Sequence, residues 1–216
     1  MVREGARFAD VCTDHAYLPL YLLAEGRIAS AVAADVAEGP LARARDNVRA
    51  AGREDAVTLM LTDGLRGMDG LGLTDIAICG MGGELIAAIL EAAPFVRNPA
   101  VRLILQPMTR VDSLRTYLAA NGFAVFAERY TVAAGRVYTC LGAAFGVVPR
   151  ALTPIEAALG DPSVRHKEDR DALRILLDMR EREAEARIRG RREGGLTAEA
   201  DEALLLAIKR EKEALL

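Results

Sequence analysis

Between Phe8 and Gly146 the chain alternates short β-type apolar runs with helical patterns, punctuated by glycines. Strands separated by helix-length crossovers pair in parallel, and a parallel sheet needs helices on both faces. The expected class is α/β, with strands over residues 8–12, 31–35, 57–61, 75–79, 101–105, 123–130 and 136–144. Helices are expected over 17–25, 40–51, 84–93 and 111–121, with Gly26, Gly52 and Gly122 at or just past their ends, where a left-handed residue terminates a helix. Only residues 131–135 join the last two strands, too few for a helix, which predicts an antiparallel hairpin at the sheet edge.

A seven-stranded, mostly parallel sheet closed by such a hairpin favours the Rossmann-like sheet of class I methyltransferases over that of dinucleotide dehydrogenases. Beyond Gly146 the composition changes. A Pro-bearing link over 147–154 leads into a charged region in which Leu173, Leu176, Leu177 and Arg180 begin a helical stripe reaching Ile188. Leu204, Leu205, Ile208 and Leu215 mark a second helix after Gly194 and Gly195, and Thr197 is its expected cap. The expected organisation is a catalytic domain over 1–150 and a helical hairpin, coiled-coil in character, over 151–216.

Charge narrows the function. A formal net charge of −3 and an isoelectric point near 5.6 exclude a wholly basic nucleic-acid binder, so any RNA contact needs a local basic patch. No stretch approaches the roughly 20 apolar residues of a membrane span and the start lacks a secretory signal, which predicts a cytoplasmic protein without membrane association. Cys12, Cys79 and Cys140 are odd in number and contain no CxxC pair, arguing against disulfides or a metal site and for reduced, mostly buried thiols.

The chemistry-bearing residues fall at the carboxyl ends of the expected strands, where an open α/β sheet has its ligand crevice. The first strand ends in DVCTDHAYLP, gathering Asp10, Asp14 and His15 in a turn that lacks the Gly-rich dinucleotide pattern. A carboxylate at Asp14 repels a pyrophosphate but suits the cationic sulfonium and amino group of S-adenosylmethionine. Asp35, at the next strand end, is placed to accept from ribose hydroxyls, and Asp63, in the turn with Thr62 and Gly64, from an adenine amino group. Gly80, Gly82 and Gly83 are expected to form a turn that lets backbone approach a ligand, and Gln106 and Pro107 to follow the fifth strand as substrate contacts. Each has an ordinary structural alternative: strand-end aspartates cap helices, glycine turns are only turns, and Tyr17 could be core.

DVCTDHAYLP, AADVAEGPLARARDN, TDGL, CGMGGELI and LILQPMT, in that order over nearly the whole chain, resemble the bacterial tRNA (adenine(22)-N1)-methyltransferase family, TrmK. The resemblance implies methyl transfer from S-adenosylmethionine to N1 of a D-loop adenine of tRNA. It implies that Asp10, Cys12, Asp14, His15, Asp35, Val36, Asp63, Gly64, Gly80 and Met81 line the cofactor. Asp14, His15 and Tyr17 would serve catalysis, with Gly82, Gln106 and Pro107 toward the substrate. Arg187, Arg189, Arg191 and Arg192, at the hairpin tip, are candidates for tRNA phosphates, with a solvated helix end as the alternative. Two departures are the cysteine at position 12, where the family has glycine, and the few residues before the first strand. No metal is expected, and a monomer is favoured. Competing readings are a methyltransferase for another RNA or a small molecule, or a non-catalytic RNA- or nucleotide-binding protein with a degenerate site.

Overall fold

The computed structural model describes residues 1–215. Its core is one seven-stranded sheet: β1 (Ala6–Val11), β2 (Ile28–Asp35), β3 (Val57–Leu61), β4 (Asp75–Gly82), β5 (Arg102–Thr109), β6 (Phe123–Ala133) and β7 (Arg136–Phe145), in the order β3-β2-β1-β4-β5-β7-β6. β1 to β5 run parallel and β7 pairs antiparallel with both β5 and β6. From β3 at one edge the chain returns to lay β4 beside β1. This reversal of winding opens the ligand crevice above β1 and β4.

Helices α1 (Tyr17–Ala24), α2 (Glu38–Ala50), α3 (Gly83–Glu91) and α4 (Val111–Ala120) are the crossovers. Parallel strands buried on both faces split their side chains between two cores. Ile76, Ile78, Leu103, Leu105 and Leu141 pack with Ile86, Leu90, Leu114 and Leu118 of α3 and α4. Phe8, Ala31, Ala33 and Ala77 face the other way, with Leu22, Leu23, Ala44 and Val48 of α1 and α2. The fold class and element order agree with the sequence reading, and Gly26, Gly52 and Gly122 take φ of 65°, 61° and 77° past the helix ends.

Several boundaries differ by a few residues, three of them at the sheet edge and beside the crevice. The β6–β7 connection is not residues 131–135: pairing continues to Ala133↔Arg136, leaving the two-residue turn Ala134–Gly135. Both turn residues have positive φ, 48° and 72°, matching the twist of the flanking strands as a primed hairpin turn does. β4 continues past Cys79 to Gly82 and β5 past Leu105 to Thr109, because the two strands go on pairing through register irregularities at Met81 and Gly82.

The C-terminal region forms α5 (Pro154–Leu159), α6 (Arg170–Glu193) and α7 (Glu199–Ala214). Arg187 near the end of α6 pairs with Asp201 at the start of α7, and Lys212 near the end of α7 reaches Asp178, so the two long helices are antiparallel. Thr197 does not cap α7; Ala198 holds that position without a side-chain bond. The unexpected cap is at α5, where Thr153 and Glu156 form a reciprocal capping box. Leu173, Leu177 and Ala184 pack with Ile208 and with Tyr130 of β6, which seats the hairpin against the sheet edge. Beside this seam Arg115 donates to both carboxylate oxygens of Glu128, at 2.8 and 3.0 Å, and to the carbonyls of Ala157 and Ala158. No helix among the described residues is long and apolar enough to cross a membrane.

Candidate active site

The turn after β1 has an unusual backbone. Cys12, Asp14 and Ala16 all have positive φ, 61°, 49° and 56°. A left-handed residue other than glycine costs about 1–2 kcal/mol, and such strain concentrates at functional sites. The path is held by its ends: the Thr13 amide donates to the Ala34 carbonyl on β2, and the Ala16 amide to that of Thr13. α1 then begins at Tyr17 with no side-chain cap on its first-turn amides.

Asp10 lies below this turn, only 5% exposed. Thr13 donates its hydroxyl to Asp10 Oδ2 at 2.6 Å. Burial pushes the Asp10 carboxyl up to about 6, the Thr13 bond acting in the opposite direction. Asp35 is buried at the end of β2 and accepts from the Ala37 amide at 2.9 Å, so one of its oxygens turns the chain into α2. Asp63 is exposed in the turn after β3, which is tied to β2 by the Thr62 amide donating to the Asp35 carbonyl. The thiol of Cys12 registers this arrangement: it is raised above its ordinary value first by partial desolvation of its sulfur, then by Asp35, Asp10 and Asp63. Three carboxylates from successive strand ends thus act on one residue. Cys12 is exposed rather than buried, a correction to the expectation for the thiols, while Cys79 and Cys140 are partly buried and free.

Asp14, His15 and Tyr17 form a second group at the mouth. His15 Nδ1 lies 2.7 Å from Asp14 Oδ2, which favours the tautomer with the proton on Nδ1 and leaves Nε2 outward as an acceptor. The His15 and Tyr17 rings stack nearly parallel, 5.1 Å between centroids and 6° between planes. Tyr17 is 66% exposed, so it is not a core residue. Two contributors escaped the sequence reading. Asn47 of α2 donates to the His15 carbonyl at 2.9 Å, and Arg43 stands 3.8 Å from Asp14. Both lie in the run LARARDN, about one and a half and two and a half turns into α2, and no local pattern marks them as pointing back to the β1 turn.

Gly80, Gly82 and Gly83 are not one turn. Gly80 is a left-handed residue, φ 80°, with open space where a Cβ would stand. Gly82 ends β4, and Gly83 opens α3, where a Cβ would come within 2.2 Å of the Arg110 carbonyl oxygen. Met81 and Gly82 belong to the strand because they pair with Pro107 and Thr109. Gln106 and Pro107 likewise lie within β5 rather than after it. Gln106 Oε1 accepts from the Gly80 amide at 3.0 Å, so this side chain braces the glycine segment and offers outward only its amide nitrogen, itself 3.6 Å from Met108 Sδ. Gly64 has φ 58° and packs over Ile89, and Val36 is exposed beside Asp35.

The tip arginines are largely engaged. Arg187 and Arg191 share Asp201 at 2.7 and 2.8 Å, and Arg192 holds Glu202 at 2.7 Å. Arg189 is exposed. No group of three or more His, Cys, Asp and Glu side chains among the described residues is arranged to hold a metal ion.

Comparison with known proteins bears on this site. Residues 1–141 match the family model described as a methyltransferase domain. The tRNA (adenine(22)-N(1))-methyltransferase of Bacillus subtilis is 33% identical over 159 residues, 74% of this chain and 67% of that protein. The crystal structure of Streptococcus pneumoniae Sp1610, a candidate tRNA (m1A22) methyltransferase, superposes with a TM-score of 0.83 at 33% identity, covering 98% of this chain and 95% of that one. The same protein solved in complex with S-adenosyl-L-methionine gives 0.81 at 32%, covering 98% and 94%. With that match in sequence and over the full length of the fold, the chain belongs to the tRNA (adenine(22)-N1)-methyltransferase family.

Proposed function

We propose that this protein methylates N1 of an adenine in tRNA, position 22 of the D-loop, with S-adenosylmethionine as donor. The observation that carries the reading is the placement of Asp10, Asp35 and Asp63 at the ends of β1 and β2 and in the turn after β3, beside the strained Cys12 turn and the stacked His15–Tyr17 pair. The residues fit the cofactor. Asp35 keeps one carboxylate oxygen for ribose hydroxyls, Asp63 suits the adenine amino group, and Asp10 and Asp14 offer negative charge to the cationic methionine end. Gly80, with no Cβ and open space above it, admits a ligand against the backbone, while Cys12, Val36, Gly64 and Met81 form the surrounding walls.

Bound there, S-adenosylmethionine supplies an activated methyl group. The protein's own task is positioning, because adenine N1 already carries the attacking lone pair. His15 and Tyr17 present a flat, exposed aromatic surface against which an extruded base can stack. Asp14 holds His15 in orientation, and its carboxylate would stabilise the positive charge that develops on the methylated ring. Gly82 and Gln106 complete the wall on the side of β5, where Pro107, expected as a substrate contact, is buried.

In this reading residues 1–150 form the catalytic unit and 151–216 a helical unit that contacts tRNA, with the protein acting as a cytoplasmic monomer without a metal. Arg189 is exposed at the tip and forms no ion pair among the described residues, which leaves it available to a phosphate. Methyl transfer from labelled S-adenosylmethionine to a panel of unmodified tRNAs, with nucleoside analysis, tests the proposal. 1-Methyladenosine at position 22 is expected, unchanged by chelator. Product on another base or on no tRNA rejects the substrate assignment, and absence of cofactor binding rejects the site.

A further inference from the structure

Beyond the crevice, a cleft of about 260 Å³ separates the carboxyl end of β5 from α6. One wall is Pro107 and Met108, the facing wall is Met179 of α6, and Thr139 of β7 lines the space between them. Arg110 and Arg180 border the cleft from the start of α4 and from α6, and Glu183, also on its wall, lies 3.2 Å from one guanidinium nitrogen of Arg180. Both methionines are exposed although they are large and apolar, an arrangement that marks surfaces built for contact.

The cleft is continuous with the site. Met108 touches Gln106, which braces the Gly80 amide, and the carbonyl of Arg110 packs where Gly83 lacks a side chain. Arg110 itself is a strained left-handed residue, φ 56°, fixed by Glu84 and Ser113. The volume falls just below the roughly 300–1,000 Å³ of pockets for drug-sized ligands, which suits one nucleobase rather than a second cofactor. Polarizable thioethers favour aromatic rings, and arginines from opposite walls favour phosphates.

Resting on the tRNA-methylation reading above, we propose that this cleft is a second nucleotide slot, which seats the base of a nucleoside adjoining the methylated adenine between Met108 and Met179, its phosphates toward Arg110 and Arg180. The slot joins catalytic sheet and helical hairpin in recognising one RNA strand, so base flipping is read on two surfaces at once.

The test uses full-length enzyme and tRNA assembled from synthetic halves, with an abasic residue placed 5′ or 3′ of the target in turn. Met179→Trp fills the slot and Arg180→Glu reverses its charge; neither touches the crevice. Each should lower kcat/KM for tRNA about tenfold, the scale of losing one stacked base or phosphate contact, with S-adenosylmethionine affinity unchanged. One abasic tRNA should lose about as much with the wild type and nothing further with Met179→Trp, a non-additivity that a merely structural effect does not produce. Variants within twofold of an active wild type, or strictly additive losses with both abasic tRNAs, overturn the slot. A wild type that methylates no tRNA instead refutes the functional reading beneath it.

Discussion

Asp10→Asn should make the cofactor-free protein more stable at neutral pH, and the gain should vanish in acid. Asp10 is almost completely buried, and its carboxyl is raised from 3.8 to about 6. A carboxyl whose folded pKa exceeds its unfolded value binds the proton more tightly when folded. Ionising it therefore costs stability that is absent below about 3.8, grows as pH rises toward 6, and is fully present above that. Two pKa units correspond to about 3 kcal/mol, an upper bound because the site can relax or admit water. Asparagine keeps the oxygen that accepts from Thr13 while removing the charge. Urea unfolding of both proteins at pH 7.5 and pH 4 isolates the effect: the difference between variant and wild type should shift by about 1–3 kcal/mol in favour of the variant at the higher pH. A difference independent of pH, or one favouring the wild type at pH 7.5, refutes the argument that Asp10 is held ionised at the expense of the fold.

Asp35→Ala should weaken S-adenosylmethionine binding at least tenfold by titration calorimetry while costing about 1 kcal/mol of stability through the lost bond to the Ala37 amide; unchanged affinity removes the ribose assignment. Gly83→Ala should destabilise by about 1–3 kcal/mol or more, because its Cβ meets a backbone carbonyl at 2.2 Å, whereas Gly80→Ala, with open space but φ 80°, should cost about 1–2 kcal/mol; thermal melts that rank the two the other way contradict the packing described. Glu128→Gln should cost about 3–5 kcal/mol by denaturant unfolding, since Arg115 and Glu128 are 4% and 1% exposed at their side chains; a loss under 1 kcal/mol would show the pair to be hydrated. Replacing Arg187, Arg189, Arg191 and Arg192 by glutamine should reduce tRNA affinity and flatten its salt dependence, measured by filter binding, with cofactor affinity untouched; unaltered tRNA binding puts the grip elsewhere.

What the sequence by itself determined was set by local physics. Hydrophobic period and helix-ending glycines defined the α/β order, and the shortness of the last connection defined the antiparallel edge, because both depend on residues near one another in the chain. The acids at strand ends were legible for the same reason: each follows an apolar run whose end the rule for open sheets assigns to the crevice. Tertiary structure decided the rest. Pairing between β4 and β5 extended both strands and drew the glycine segment and Gln106 out of the loops where a local reading placed them. Packing turned Gln106 inward to brace Gly80, brought Asn47 from α2 to the β1 turn, and engaged the tip arginines with acids on α7. The buried charge at Asp10 is also a tertiary property, because a carboxylate in solution titrates normally and only the sheet and the turn above it withhold the water that would solvate it.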